Sequence, residues 1–268
     1  REAYLDHLSC ALAERGHEVR VSTRFVDRRP EPFQRLLAAY EPAQRDEVDG
    51  VHVRVITPAP YRQVLLSLAA RMHYYPSTEL MAIRLYRTAF ARSLAEALDG
   101  CDVVHYSGTG RELIGFVAQH VAAQRGIPFF VTPHMHVGSW GDSDLDFRLY
   151  RRADRLIALT EYERRAYVTN GIPTERIHVQ GHGLNVTGTG DANRFRRETG
   201  IGDAPLILFL GRKSAEKGYP LLLRAAPALW ARHPTAHLVF AGPADEATSL
   251  AAAGGHERTA EWPPARGS

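Results

Sequence analysis

The chain has only two cysteines in 268 residues, Cys10 and Cys101, and neither lies at metal-ligand spacing from a partner. That excludes a disulfide framework and a thiolate zinc site, and it fits a reducing compartment. No apolar run approaches the ~20 residues that span a bilayer, and no secretory leader is recognisable, so a cytoplasmic protein is expected, at most peripheral on the inner face of the membrane. Blocks of five or more like charges are also missing. Lys and Arg total 33 against 30 Asp and Glu, a net charge of +3, and the basic residues lack aromatic interleaving or a known module. Nucleic acid is therefore not expected as a partner. Internal repeats are absent, and the last nine residues show no periodicity.

What is present is an ordinary soluble composition, 44% hydrophobic, in a length that suits one large or two ordinary α/β domains. The most informative stretch is residues 206–229. A five-residue apolar run, 206–210, stops at Gly211, and an apolar-periodic segment with Leu221, Leu222, Ala225 and Leu229 begins after Gly218. This reads as strand, loop and helix. At such a turn the helix N-terminus and its dipole favour an anion. Arg212 and Lys217 flank the point from the two ends of the loop, and a guanidinium fork with an ammonium suits a diphosphate better than a lone carboxylate.

The pattern Gly-Arg-x-x-x-x-Lys-Gly (Gly211, Arg212, Lys217, Gly218) after a hydrophobic strand resembles the donor loop of the retaining glycosyltransferases of family 4. The resemblance implies the GT-B fold: two Rossmann-like α/β lobes with parallel sheets. It also implies that Arg212 and Lys217 hold the diphosphate of a nucleotide-sugar such as a UDP- or GDP-sugar.

Four further stretches follow in the family's order. Residues 4–12 carry apolar residues at helical spacing, and Val19, Val21 and Thr23 alternate as a strand, similar to the first helix and second strand of the first lobe. In the family a strand and a Gly-Gly turn precede that helix; here the sequence starts inside it, which reads as truncation. Residues 27–44 read as a loop rich in Pro and charge, followed by an Asp49-Gly50 turn and the strand 51–55. Residues 60–98 hold two helical stretches, 64–72 and 80–98, with arginines at 62, 71, 84, 87 and 92. They read either as a basic face for anionic lipid or a lipid-linked acceptor, or as a solvated face.

The segment 101–108 reads as a short buried strand and resembles the family's Asp-Val-Val-His strand, with His105 structural. Next, Gly126-Ile127-Pro128 leads into an apolar strand that breaks off at Thr132-Pro133-His134, placing His134 at the carboxyl edge of the sheet, where ligands bind in open α/β folds. The family carries a His there, beside the donor sugar, so the resemblance makes His134 the catalytic residue. His134-x-His136 has no third partner at metal-ligand spacing, so no metal is expected, and no cofactor. His136, Ser139, Trp140 and Asp142 form a Gly-punctuated loop whose aromatic, hydroxyl and carboxylate suit either an acceptor sugar or a plain surface.

Residues 153–160 read as a strand, with Thr160 and Glu163 as a capping box for the next helix. A last short strand at 177–179 leads to Gly181-His182-Gly183-Leu184-Asn185, where the family has Asn-Gly-Val-Asp, and residues 186–191 read as the linker. Two domains follow: 1–184, an acceptor-side lobe, and 185–268, a partial nucleotide-sugar lobe, because nothing after Pro243 matches the family's remaining strands or its Glu-x7-Glu motif. The expected function is retaining, metal-independent transfer of a sugar to a hydroxyl acceptor in glycan or glycolipid synthesis. The alternatives are a GT-B epimerase or phosphorylase, or an inert fragment.

Overall fold

The computed structural model describes residues 2–25, 33–183, 189–243 and 259–262. The chain divides into two compact units, Arg1–Asn185 and Val186–Ser268. Leu184, Asn185 and residues 186–188, the start of the expected linker, lie outside the described residues, as do residues 27–32 of the expected loop.

The first unit opens with α1 (Glu2–Glu14) and a small sheet of β1 (Arg20–Thr23), β2 (Arg45–Val48) and β3 (Val51–Val55). β1 runs parallel to β3, while β2 pairs with β3 antiparallel across Asp49 and Gly50, whose φ values are +50° and +75°. Two consecutive left-handed residues make the tight hairpin turn that matches strand twist. β2 thus adds one antiparallel strand to the parallel sheets that were expected. The sequence reads the turn but not β2, because Arg-Asp-Glu-Val is exposed throughout and has no apolar alternation to report. The loop expectation for 27–44 is corrected as well. Its described part contains α2 (Phe33–Ala38), anchored by Leu37, which is buried.

Two helices follow, α3 (Val64–Met72) and α4 (Glu79–Ala97). Ala82, Tyr86, Ala89 and Phe90 of α4 recur at three- and four-residue spacing and form its buried stripe. Tyr86 is inaccessible to solvent and its hydroxyl donates to the Leu37 carbonyl at 3.0 Å, tying α4 to α2; burial pushes its pKa up to about 12.

The second sheet sets the site. It contains β4 (Val104–Ser107), β5 (Phe129–Thr132), β6 (Arg155–Ala158) and β7 (Ile177–Val179), in that spatial order and all parallel. The connections are helical: α5 (Ile114–Arg125), α6 (Asp144–Tyr150) and α7 (Glu161–Thr169). Strands joined in this way deliver all four carboxyl ends to one edge. Val104, Phe129 and Val131 bury one face in the core shared with Phe116 and Val117 of α5.

The second unit contains α8 (Ala192–Thr199), β8 (Leu206–Leu210), α9 (Tyr219–Arg232), β9 (His237–Ala241) and β10 (Thr259–Trp262). Its sheet is parallel with order β8, β9, β10. β10 corrects the reading that none of the family's remaining strands follows Pro243. A four-residue strand containing Glu261 and followed by two prolines carries little periodic signal. The core of this unit gathers Tyr219, Ala226, Trp230, Leu238 and Phe240, and the Trp230 indole donates to the Ala236 carbonyl at 2.9 Å.

Tyr86→Phe deletes one buried hydrogen bond and strands the Leu37 carbonyl. The expected cost is about 1–2 kcal/mol of stability, read as a shift of the urea midpoint; an unchanged midpoint would show that the α2–α4 tie carries no energy.

Candidate active site

The site in the first unit grows from the end of β5. Pro133 has no N–H to continue the ladder, and His134 then adopts φ = +53°, one of three non-glycine residues with positive φ among those described. For a side chain other than Asn or Asp this left-handed turn costs about 1–2 kcal/mol, and such outliers gather at functional sites. The turn lets His134 Nε2 meet the Ser107 hydroxyl at 2.8 Å, with the direction of donation set by the tautomer. One pair of rungs back, His105 Nε2 lies 2.7 Å from the Thr132 hydroxyl. Burial lowers the His105 pKa, so its neutral form is favoured.

Two more rings complete the cluster. His182, just past β7, stacks on His134 with ring centroids 5.3 Å apart and planes 12° from parallel. Tyr4 of α1 presents its ring edge-on to both imidazoles, at 5.0 Å and 4.8 Å. Partial burial lowers the His182 pKa. From sequence, Tyr4 reads only as an apolar helix position, Ser107 as a turn residue and His182 as an imperfect motif match. The signal that groups them is topological: Ser107, His134 and His182 each lie at or just past the carboxyl end of a strand in one parallel sheet.

The structure forms residues 135–142 into a tight loop. His136 and Trp140 exchange backbone hydrogen bonds at 2.8 and 2.9 Å, and Asp142 accepts the Gly138 N–H at 2.5 Å. Tyr150 staples the loop from beneath, donating to the Gly141 carbonyl at 2.9 Å. His136 and Ser139 are exposed, and Trp140 and Asp142 partly so. Behind the loop, Ser143 caps α6 in a full capping box with Asp146, whose other oxygen accepts the Arg111 N–H at 2.9 Å. Thr160 caps α7, but the box expected there is only half formed. Glu163 takes the N–H of Leu159 instead of Thr160, at 2.7 Å; burial raises its pKa, while that N–H and, less strongly, His136 of the loop pull it back down.

In the second unit, β8 ends at Gly211 and β9 at Gly242, with φ of +151° and +131°. A Cβ on Gly242 would strike the Gly211 carbonyl, so glycine is required where the two strand ends touch. Arg212 and Lys217 are exposed at the two ends of the loop that follows. Lys213 between them is buried at 4% exposure, its N–H bound to the Pro243 carbonyl at 2.8 Å; sequence reasoning passed over this third cation. Gly218, at φ +80°, starts α9. The amides at that helix start are partly engaged. Pro220 has none, and the Leu221 and Leu222 N–H groups bond to the Gly218 carbonyl at 3.0 and 3.2 Å. The dipole remains as an attraction for an anion. Among the described residues no three His, Cys, Asp or Glu side chains converge as a metal ion would require.

This architecture is that of the GT-B glycosyltransferases. The chain is similar in fold to Anabaena HepE in complex with UDP, at 17% identity and a TM-score of 0.55, covering 80% of this chain and 56% of that one. It is also similar to the E. coli trehalose-6-phosphate protein bound with UDP-2-fluoro glucose, at 14% identity and a TM-score of 0.55, covering 88% and 67%. Residues 2–183 match the glycosyl transferase 4-like domain family and residues 191–261 the glycosyl transferases group 1 family. The chain therefore belongs to the glycosyl transferase 4-like family. Curated relatives include the D-inositol 3-phosphate glycosyltransferase of Acidothermus cellulolyticus, 28% identical over 256 residues, covering 88% of this chain and 52% of that protein. The D-inositol 3-phosphate glycosyltransferase 1 of Catenulispora acidiphila is 27% identical over 243 residues, covering 84% and 51%. The chain spans about half the length of these curated relatives.

Two measurements test this geometry. Gly242→Ala should lower the urea midpoint of the second unit by the equivalent of about 1–3 kcal/mol through overpacking, and an unperturbed midpoint would contradict the close approach to Gly211. The second concerns pH. Burial holds the folded pKa values of His73 and His105 below the ordinary value of 6.5. The unfolded chain then binds protons first on acidification, so stability is level above about pH 7 and falls as pH drops through about 6.5. His105→Asn should shrink that fall. An undiminished fall in the variant would remove His105 from the account.

Proposed function

We propose that the protein transfers a sugar from a nucleotide diphosphate to a hydroxyl of an acceptor, with retention of anomeric configuration and without a metal ion. The observation that carries this reading is the pairing, in one chain, of a strained and hydrogen-bonded His134 at a sheet edge with the Gly211-Arg212…Lys217-Gly218 loop. The membership in the glycosyl transferase 4-like family supports it, as do fold neighbours whose structures hold UDP or a UDP-sugar analogue.

In this reading the reaction breaks the bond between the anomeric carbon and the diphosphate oxygen. Both electrons leave with the diphosphate, and the sugar ring gains positive character. Arg212, Lys217 and the dipole of α9 stabilise the leaving group; fixed electrostatics of this kind contribute a few kcal/mol per donor. Gly211 and Gly218 let the backbone come close. His134, held by Ser107 and the stacked His182, bears on the sugar near the reacting carbon. His136, Ser139, Trp140 and Asp142 offer a ring face and hydrogen-bonding groups to a hydroxylated acceptor, a sugar or a lipid-linked one. The curated relatives, named for an inositol phosphate, support a polyhydroxylated ring. The donor is a UDP- or GDP-sugar, no cofactor takes part, and the work is done in the cytoplasm. Among the described residues, no helix is long and apolar enough to cross a membrane.

The test is release of nucleotide and appearance of glycoside from a panel of UDP- and GDP-sugars by the full-length protein, with and without a chelator. Arg212→Ala or Lys217→Ala should each lower kcat/KM by about 10²–10³, and His134→Ala should reduce kcat more than it raises KM. Turnover indifferent to both cations would overturn the diphosphate assignment. A product of inverted configuration would overturn retention, and loss of activity in the chelator would overturn metal independence.

A further inference from the structure

The turn between α3 and α4 carries an apolar surface that the sugar-transfer reading leaves unused. Of the sixteen large hydrophobic side chains exposed among the described residues, six lie within residues 64–81, far more than an even spread would place there. They are Val64 and Leu68 on α3, Tyr74 and Tyr75 on the turn, and Leu80 and Met81 on α4, with Val64 at 71% and Tyr75 at 65% exposure. Scattered exposed hydrophobics need no explanation, but a concentrated patch marks a contact surface.

The charge around the patch has one sign. Residues 61–95 contain five arginines and a single acid, Glu79. Three of the arginines have structural work or a restricted setting. Arg62 donates to the Thr88 carbonyl at 2.6 Å, Arg92 pairs with Glu96 at 3.2 Å, and Arg87 is only partly exposed. Arg71 and Arg84 are exposed, and among the described residues neither forms an ion pair. Arg71 stands three residues from Leu68, and Arg84 four from Leu80, so each shares a helical face with an exposed apolar side chain. Tyrosine at headgroup depth, aliphatic side chains below it and guanidinium groups against phosphates are the chemistry of an anionic bilayer surface. An acidic protein would match the arginines but leave the apolar cluster without a counterpart of its own kind.

The turn also lies within electrostatic reach of the segment that braces α6. His73, buried beside Tyr74, is within electrostatic reach of Arg111 and Asp146, the pair that braces α6 behind residues 135–142. We infer that the α3–α4 turn docks the first unit on anionic lipid, with Tyr74, Tyr75, Leu80 and Met81 entering the headgroup region and Arg71 and Arg84 meeting lipid phosphates. Docking there holds residues 135–142 close to the bilayer, where a lipid-borne hydroxyl would be presented. The surface does not depend on donor turnover, so lipid binding without sugar transfer keeps this inference and sinks the other.

Co-sedimentation of the chain with vesicles tests it, using phosphatidylcholine alone or mixed with about one third phosphatidylglycerol, at low salt. The chain should pellet with the anionic vesicles and stay in solution with the neutral ones. Arg71→Ser and Arg84→Ser should each lower the partition coefficient about fivefold, and Tyr74→Ser with Tyr75→Ser should lower it again while circular dichroism stays unchanged. A folded chain that ignores phosphatidylglycerol vesicles, binds both compositions equally, or binds as well after the arginine and tyrosine replacements would overturn the inference.

Discussion

The site in the first unit rests on the parallel register of β4 against β5. That register sets Ser107 opposite Thr132 and His105 opposite Phe130, so Ser107, Thr132 and His105 share one face at the sheet's carboxyl end. Pro133 then ends the ladder and His134 turns left-handed, which brings its imidazole to the Ser107 hydroxyl. The turn costs about 1–2 kcal/mol and a hydrogen bond to a neutral partner offsets about 0.5–1.5 kcal/mol of it. The remaining support comes from the rings of Tyr4 and His182, which close on His134 from two directions. A slip of one residue in this register would send Ser107 to the opposite face and leave His134 without its hydroxyl partner.

The same rule operates twice more in the chain. The ends of β8 and β9 touch through Gly211 and Gly242, and that contact aims the following cationic loop. In the first unit, the loops after β5 and β6 are fixed by capped helices. Ser143 and Asp146 hold the start of α6, and Thr160 holds the start of α7. Helix caps therefore do more than satisfy orphan amides. Through Asp146 one cap also grips Arg111 in the segment after β4, so the loops following two neighbouring strands are braced together.

What the sequence made legible follows from how strongly each element signals. Long periodic helices such as α4 and continuous apolar strands such as the buried β5 and the partly exposed β8 stand out, and so do the charged loop 211–218 and His134. β2 and β10 do not, since their short, polar segments take strand geometry from the partner they pair with and not from their own pattern. His182 and Tyr4 were hidden for a different reason. They lie far apart in sequence, and only the fold brings them onto His134. Lys213 was hidden because nothing in a run of loop cations says which one turns inward.

The burial of the three loop cations bears on how such a site could act. Arg212 and Lys217 stand in water, where a unit charge about 4 Å away gains only about 1 kcal/mol, against about 4 kcal/mol at the effective dielectric of a partly closed protein surface. A diphosphate at the open loop would therefore be held weakly. The same two side chains become strong donors only once solvent is displaced around them. Lys213 between them differs in that the residue is shielded from solvent and its backbone is tied to Pro243. In the proposed reaction, exclusion of water from the exposed pair, more than the number of cations present, would then set how much leaving-group stabilisation the loop supplies.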